Sequence, residues 1–220
     1  MKKFLSIFEK LTCHYASYDV WRDFIIVSAC AISNSCDKIN YDERESLYKE
    51  TIKKYNKQEQ NLFPELFAEI VLQLENNLDQ DFLGQLFMDL NFGDKHLGQY
   101  FTPYPISKLM SKVIIGDAVS QVRKEKRITI SDPCCGSGSL LIASINEAKR
   151  QLEKENMNFQ KYIYVCGQDI NQLIALMCYI QLSLIGVVGY VSVGDSLLNT
   201  ENAIQNCWFT PMYFLQRALV

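Results

Sequence analysis

Apolar residues recur at helical spacing through the first part of the chain. Residues 21–33 form an apolar stretch that closes near Asn34. Residues 42–55 read as a polar helix with Leu47, Tyr48, Thr51 and Ile52 on its buried side. The next helix carries Pro64 near its start and presents Leu66, Ile70, Val71 and Leu74 as one apolar face. No glycine occurs before Gly84, which suits a tight helical lobe. Residues 93–98 break the pattern, and Tyr104-Pro105 opens a further helix that runs through Ile115. Beyond it the period changes to strands at 128–131, 162–166 and 190–193, separated by helical runs at 140–152 and 173–185. That alternation predicts a parallel sheet with crossover helices, an α/β fold of Rossmann-like type. The expected organisation is a helical N-terminal lobe over residues 1–97 and an α/β domain over 98–220.

The segment Ser131-Asp132-Pro133-Cys134-Cys135-Gly136-Ser137-Gly138-Ser139 joins the first strand to the following helix. Glycines in such a turn permit positive φ and close approach of a ligand to the backbone. Ser137 and Ser139 are candidates to cap the helix and leave its amides facing a ligand. The spacing is neither the three-glycine dinucleotide fingerprint nor a phosphate loop, since no Gly-Lys-Ser/Thr follows. In a wound sheet, ligands bind at the carboxyl ends of strands, where Asp132, Asp169 and Asp195 all fall. A carboxylate at the second strand end suits ribose hydroxyls, because it accepts two hydroxyl protons. An Asp in this position also serves as an ordinary helix N-cap, so Asp169 has a structural reading as well.

Composition narrows the class. Hydrophobic residues make up 48% of the 220 and charged residues 21%, which excludes a long disordered tail. A formal charge of −3 excludes a uniformly basic nucleic-acid coat, so DNA contact would need a local patch or a partner. Lys49, Lys53, Lys54 and Lys57 form one such cluster, and Arg123, Lys124, Lys126 and Arg127 another. These also fit the solvated face of a helix and a charged loop leading into a strand. The 8 cysteines include no Cys-x-x-Cys pair, and only His14 and His96 are available to join them, so no metal site is expected. Buried, reduced cysteines acting as small hydrophobes and a cytoplasmic location are expected. Residues 1–11 are amphipathic rather than a cleavable signal, and no apolar run reaches membrane length.

The turn stands in an ordered set: Gly98-Gln99-Tyr100-Phe101-Thr102-Pro103 before it, Val165-Cys166-Gly167-Gln168-Asp169-Ile170-Asn171 after it, and Val193-Gly194-Asp195-Ser196-Leu197 last. This set resembles the adenine-specific (N6) DNA methyltransferases, most closely the modification subunits of type I restriction systems. The resemblance runs from about Asp81, at the head of Asp81-Phe82-Leu83-Gly84-Gln85-Leu86-Phe87, to about Leu198. It implies an S-adenosylmethionine-dependent methyltransferase fold over 98–220, with S-adenosylmethionine as cofactor and DNA as substrate. By resemblance, Asp169 takes the ribose, Ile170 packs on the adenine ring and Asp195 accepts from the adenine amino group. Asp132, Cys135, Gly136, Ser137 and Gly138 surround the methionine part, Tyr100, Phe101 and Thr102 close over it, and Ser196 completes the third strand end.

One element of that family is absent. Its catalytic Asn/Asp-Pro-Pro-Tyr/Phe presents a polar side chain and a carbonyl to the target amine, and its aromatic stacks on the flipped adenine. The only prolines here are Pro64, Pro103, Pro105, Pro133 and Pro211, so no Pro-Pro pair exists. The nearest counterpart is Asn206-Cys207-Trp208-Phe209, which makes Asn206 and Phe209 the candidate catalytic residues; Trp208 and Phe209 also fit a core or interface role. Residues 199–205 lack the apolar fourth strand, and an open edge of the sheet would be covered by residues 210–220 or by another subunit, which makes a homo- or hetero-oligomer the expectation. The leading function is adenine methylation in DNA, alone or with a partner. The alternative is a relative that binds S-adenosylmethionine without methylating. A small-molecule or protein methyltransferase fits less well with the Phe-Thr-Pro and Gly-Gln segments.

Overall fold

The computed structural model describes residues 1–93, 101–198 and 207–218, and the chain divides into two compact units, Met1–Asn77 and Leu78–Val220. The first unit contains α1 (Lys2–Thr12), α2 (Ser17–Cys36), α3 (Tyr41–Ile52), α4 (Lys57–Gln60) and α5 (Leu62–Asn76). Its core is aromatic: Phe4 meets Phe8, Trp21 and Phe24 at centroid separations of 5.7–6.3 Å, with Phe63, Leu66 and Ile70 of α5 also buried. Asn56 starts α4 with a capping box to Glu59. Four carboxylates are buried here, Asp23, Asp37, Glu59 and Glu69. Asp37 pairs with Arg44 at 2.7 Å, and Asp23 accepts from Lys54 and from the Tyr55 hydroxyl at 3.1 Å.

The second unit runs α6 (Phe82–Asp89), α7 (Tyr104–Ile115), α8 (Ala118–Glu125), β1 (Ile128–Asp132), α9 (Ser139–Lys154), α10 (Phe159–Tyr162), β2 (Ile163–Asp169), α11 (Gln172–Ile185), β3 (Val188–Val193), β4 (Cys207–Phe209) and α12 (Pro211–Ala218). The sheet order is β1-β2-β3-β4, with β1, β2 and β3 parallel and β4 antiparallel to β3. Alternation sets the faces: Ile128, Ile130, Ile163, Val165 and Val191 are buried, whereas Thr129, Ser131, Tyr164, Cys166 and Tyr190 are exposed or half-buried. Helix α9 packs on β1 and β2, and α11 packs on β2 and β3. Their buried apolar residues, Leu141, Ile142, Ile145, Leu176 and Ile180 among them, are the core that an α/β sheet requires.

Several expectations change in detail. Helix α6, assigned by sequence to the N-terminal lobe, groups with the sheet because it packs on α11. The basic segment before β1 is not a loop: Arg123 and Lys124 lie in the last turn of α8, which Asp117 caps and a left-handed Lys126 ends at φ 65°. The edge of β3 is covered by β4. The next residue, Thr210, locks it there by donating its hydroxyl to the Val187 carbonyl at 2.7 Å and its amide to Gly189 at 3.0 Å. The cysteines divide: Cys30, Cys135, Cys178 and Cys207 are buried, whereas Cys13 and Cys134 are exposed, since both sit where the chain leaves an element toward solvent.

Candidate functional site

The site is assembled where the parallel strands end. Register places Asp132 opposite Gly167 and Asp169 opposite Val193, so the first and second strand ends and the Gly194-Asp195 turn share one edge of the sheet. The backbone sews these ends together. The Cys135 amide donates to the Gln168 carbonyl at 2.8 Å, Gly194 donates to the Asp169 carbonyl at 3.0 Å, and the Gln168 side-chain amide donates to the Gly194 carbonyl at 3.2 Å.

Asp169 organises the centre. One carboxylate oxygen accepts the Gly136 amide at 3.0 Å, and the other accepts the Asn171 amide at 2.9 Å. The N-cap of α11 is Asn171, whose side chain accepts from Ile174, so the structural role open to Asp169 in the sequence belongs to its neighbour. Each Asp169 oxygen keeps a further lone pair, and the group is half-buried. Beside it, Ile170 is 70% exposed, an apolar side chain held in the open at the end of a strand. Asp195 accepts the Leu197 amide at 2.8 Å, and the Ser196 hydroxyl lies 3.9 Å from the Cys134 thiol, which closes the line from the third strand end to the first. Asp132 accepts the Cys134 amide at 3.0 Å.

The turn itself depends on its glycines. Gly136 has φ 57° and Gly138 φ 98°, both in the left-handed region. A Cβ on Gly138 would stand 2.8 Å from the Cys178 sulfur, and one on Gly136 would meet the Phe101 ring at 3.4 Å. The serines behave differently from expectation. Neither Ser137 nor Ser139 caps α9; Gly138 is the N-cap residue, without a side-chain cap. Ser139 shares a 2.8 Å hydrogen bond with Ser107 and donates to the Thr102 carbonyl at 3.2 Å, which ties the 101–103 segment to the start of α9. Ser137 is buried and donates to Asp81 at 2.5 Å. The Cys135 side chain is likewise buried beneath the turn, so it faces the core and not the strand ends. A hydrogen bond with Cys135, then burial, push the Cys178 thiol well above its ordinary pKa.

Phe101 packs against Phe87 with centroids 5.4 Å apart and lies over Gly136. With Thr102, Pro103, Tyr104 and Pro105 it faces α6 across a cleft of about 510 Å³, also lined by Asp81, Gly84, Gln85 and Met88. A cleft of this size is in the range of small-molecule sites. Tyr100 and Asn206 lie outside the described residues. Phe209 is not brought to the site. It pairs with Tyr190 in mid-strand, and its ring stacks on Tyr213 at 4.4 Å and meets Tyr190 at 5.7 Å, because the antiparallel run of β4 carries it away from the carboxyl ends. Two contributors escaped the sequence pattern. Asn171 sits two residues past an acidic strand end, in the position of a helix cap. Gln181 is a fully buried amide in a mostly apolar helix, itself a signal.

Among the described residues no group of His, Cys, Asp and Glu is placed to hold a metal, and no helix is long and apolar enough to cross a membrane. The N-6 DNA Methylase family profile matches residues 82–209. The chain is similar to the type I restriction enzyme MjaVII methylase subunit of Methanocaldococcus jannaschii, 31% identical over 107 residues that cover 47% of this chain and 16% of the relative. It is also similar to the type I restriction enzyme EcoEI methylase subunit of Escherichia coli, 23% identical over 196 residues covering 85% of this chain and 33% of the relative. Among solved structures it is similar to one assigned to a class I S-adenosylmethionine-dependent methyltransferase of Listeria monocytogenes, 19% identical, with a TM-score of 0.44 and coverage of 84% and 56%. The chain spans a third or less of the length of these curated relatives.

Proposed function

We propose, since the chain belongs to the N-6 DNA Methylase family, that it binds S-adenosylmethionine at the ends of β1, β2 and β3 and, alone or with a partner, transfers the methyl group to adenine in DNA. The observation that carries this reading is the Asp169 carboxylate, fixed by the Gly136 and Asn171 amides while each of its oxygens keeps a lone pair directed by that fixing. The residues fit a nucleoside-bearing cofactor. Asp169 accepts the ribose hydroxyls, exposed Ile170 supplies an apolar face for the adenine ring, and Asp195 accepts the adenine amino group. Asp132, Gly136 and Gly138 border the methionine part, and Phe101, Thr102 and Tyr100 close over it. Cys135 and Ser137 support that border from within, and Ser196 closes the third strand end. When bound, the cofactor supplies an electrophilic methyl group.

Asn206 is the proposed acceptor for the target amine; it precedes Cys207, which pairs with Ser192 near the carboxyl end of β3. A second reading, cofactor binding without methylation, is favoured by a specific observation: Phe209 is held in an aromatic cluster away from the strand ends, and no proline pair stiffens the segment before it. Transfer of labelled methyl groups to DNA separates the two. Counts above background that fall in Asn206→Ala support methylation, and tight cofactor binding with no transfer to any DNA selects the second reading.

A partner is part of the proposal. Ile106, Leu109, Met110, Val113 and Ile114 project from α7 at 42–80% exposure, an apolar stripe at i, i+3, i+4, i+7 and i+8 spacing. Among the described residues, β1 pairs only with β2, so its outer edge is open as well. The relatives named above are methylase subunits, and a homo- or hetero-oligomer would cover both surfaces. DNA contact through the α8 cluster is weakened by ion pairing of Arg123 with Glu155 at 2.9 Å and of Lys124 with Glu125 at 3.0 Å, which favours a patch contributed in part by that partner.

A further inference from the structure

A buried polar cluster joins the glycine turn to α6 and α11. Asp81, 6% exposed, heads α6 and accepts the Gly84 amide at 2.9 Å and the Gln181 side-chain amide at 2.8 Å on one oxygen, and the Ser137 hydroxyl at 2.5 Å on the other. Gln181 on α11 donates a second time, to the Ser137 carbonyl at 2.9 Å, and accepts the Leu83 amide at 3.1 Å. Ser137 is thus gripped at its hydroxyl by one residue and at its carbonyl by the other. It is the residue between Gly136 and Gly138, the two left-handed positions of the turn.

The steric design agrees. A Cβ on Gly84 would stand 2.3 Å from an Asp81 oxygen and 2.4 Å from the Ser137 hydroxyl, so a glycine is what lets the start of α6 come within reach of the turn. A carboxylate buried this deeply is costly, and a packed hydrophobic residue would serve stability at least as well. Burial pushes the Asp81 carboxyl above its ordinary range, against the opposing pull of Gln181, Ser137 and Gly84. Two glycines alone would leave the turn several conformations; a buried carboxyl and a two-armed amide, each hydrogen-bonded to Ser137, select one.

We propose that Asp81 and Gln181 are positioning residues, which hold Ser137 and through it the Gly136–Gly138 turn in the single conformation that receives S-adenosylmethionine. The inference rests on the assignment of this turn to the cofactor. Both act on the turn through Ser137.

The test combines calorimetric titration of S-adenosylmethionine with amide hydrogen exchange on the ligand-free full chain. Ser137→Ala, which removes one hydroxyl, and Gln181→Met, which keeps the volume, serve if Asp81→Ala fails to fold. Affinity should fall about tenfold in each, the usual consequence of losing a buried hydrogen bond. Exchange should quicken at residues 135–139 but not in β2. Asp81→Asn, which keeps an acceptor for Gly84 and Gln181, should recover most of the affinity lost in Asp81→Ala. In a double-mutant cycle, Ser137→Ala and Gln181→Met should be non-additive. Wild-type affinity and wild-type exchange at the turn in both Ser137→Ala and Gln181→Met would overturn the proposal. A folded wild type that binds no S-adenosylmethionine, with variants that still loosen the turn, would instead sink the cofactor assignment and leave the pinning of the turn standing.

Discussion

Asp169 joins the chemistry of the site to its architecture. Its two oxygens receive amides from two different turns, so removing the side chain leaves both donors without that partner and leaves the glycine turn tied to β2 only through the Cys135 amide on the Gln168 carbonyl. Asp169→Ala is expected to reduce S-adenosylmethionine affinity by about tenfold or more while leaving the helical unit unchanged, measured by calorimetry alongside circular dichroism. The turn glycines make a prediction of the opposite kind. Gly138→Ala forces an alanine to φ 98° and brings its Cβ to 2.8 Å from the Cys178 sulfur, at a cost of about 1–3 kcal/mol in urea unfolding. Gly136→Ala, with only a 3.4 Å contact to the Phe101 ring, should cost less. The strand-end carboxylates were legible because strand, acidic residue and helix succeed one another locally. The roles of Asp81, Gln181 and Ser137 were not, since they join residues 44 to 100 positions apart through side chains that no local pattern relates.

At the scale of elements, periodicity located the longer helices α2, α3, α5, α7, α9 and α11 and the three parallel strands, whose apolar faces repeat within a few residues, and missed the short α8, α10 and α12. It could not locate β4, which spans 3 residues and exists through pairing with β3 and the Thr210 clasp rather than through any pattern of its own. Nor did it show which way α7 faces. Small Ser107 and Ser111 are buried where α7 lies along α9, and the larger apolar residues point outward, the reverse of the usual arrangement. Such a stripe is expected to drive association. Light scattering at micromolar concentration should find a species larger than the monomer, or a monomer that a partner subunit converts to a defined complex. Leu109→Lys with Val113→Lys should abolish it without lowering the melting temperature, since both side chains are exposed. A wild type that stays monomeric with every candidate partner counts against a role for this face.

The whole molecule joins two separately built units, and their stabilities should respond differently to acid. In the helical unit, burial raises the Asp37 carboxyl, but hydrogen bonds from Asn40 and Ile39 and the Arg44 charge outweigh it and hold the group below its ordinary value. A lowered folded-state pKa contributes stability that is complete above the unfolded carboxylate pKa and is lost as pH falls through the folded value. Asp81 in the sheet unit is displaced upward, mainly by burial among Gln181, Ser137 and Gly84, with Cys178 and Tyr104 also within electrostatic reach, so its contribution favours low pH and declines as pH rises from the unfolded carboxylate pKa through the folded one. Arg44→Ala strands the buried Asp37 and should destabilise the helical unit by about 3–5 kcal/mol in urea unfolding at pH 7, with a smaller loss once acid neutralises Asp37. The central claim concerns the strand ends of the second unit, and it is tested most directly by titrating S-adenosylmethionine into the folded full chain and into its Asp169→Ala variant. Saturable binding at one site in the wild type, weakened in the variant, is the predicted result; no saturable binding to a folded wild type, or equal binding to both proteins, would contradict it.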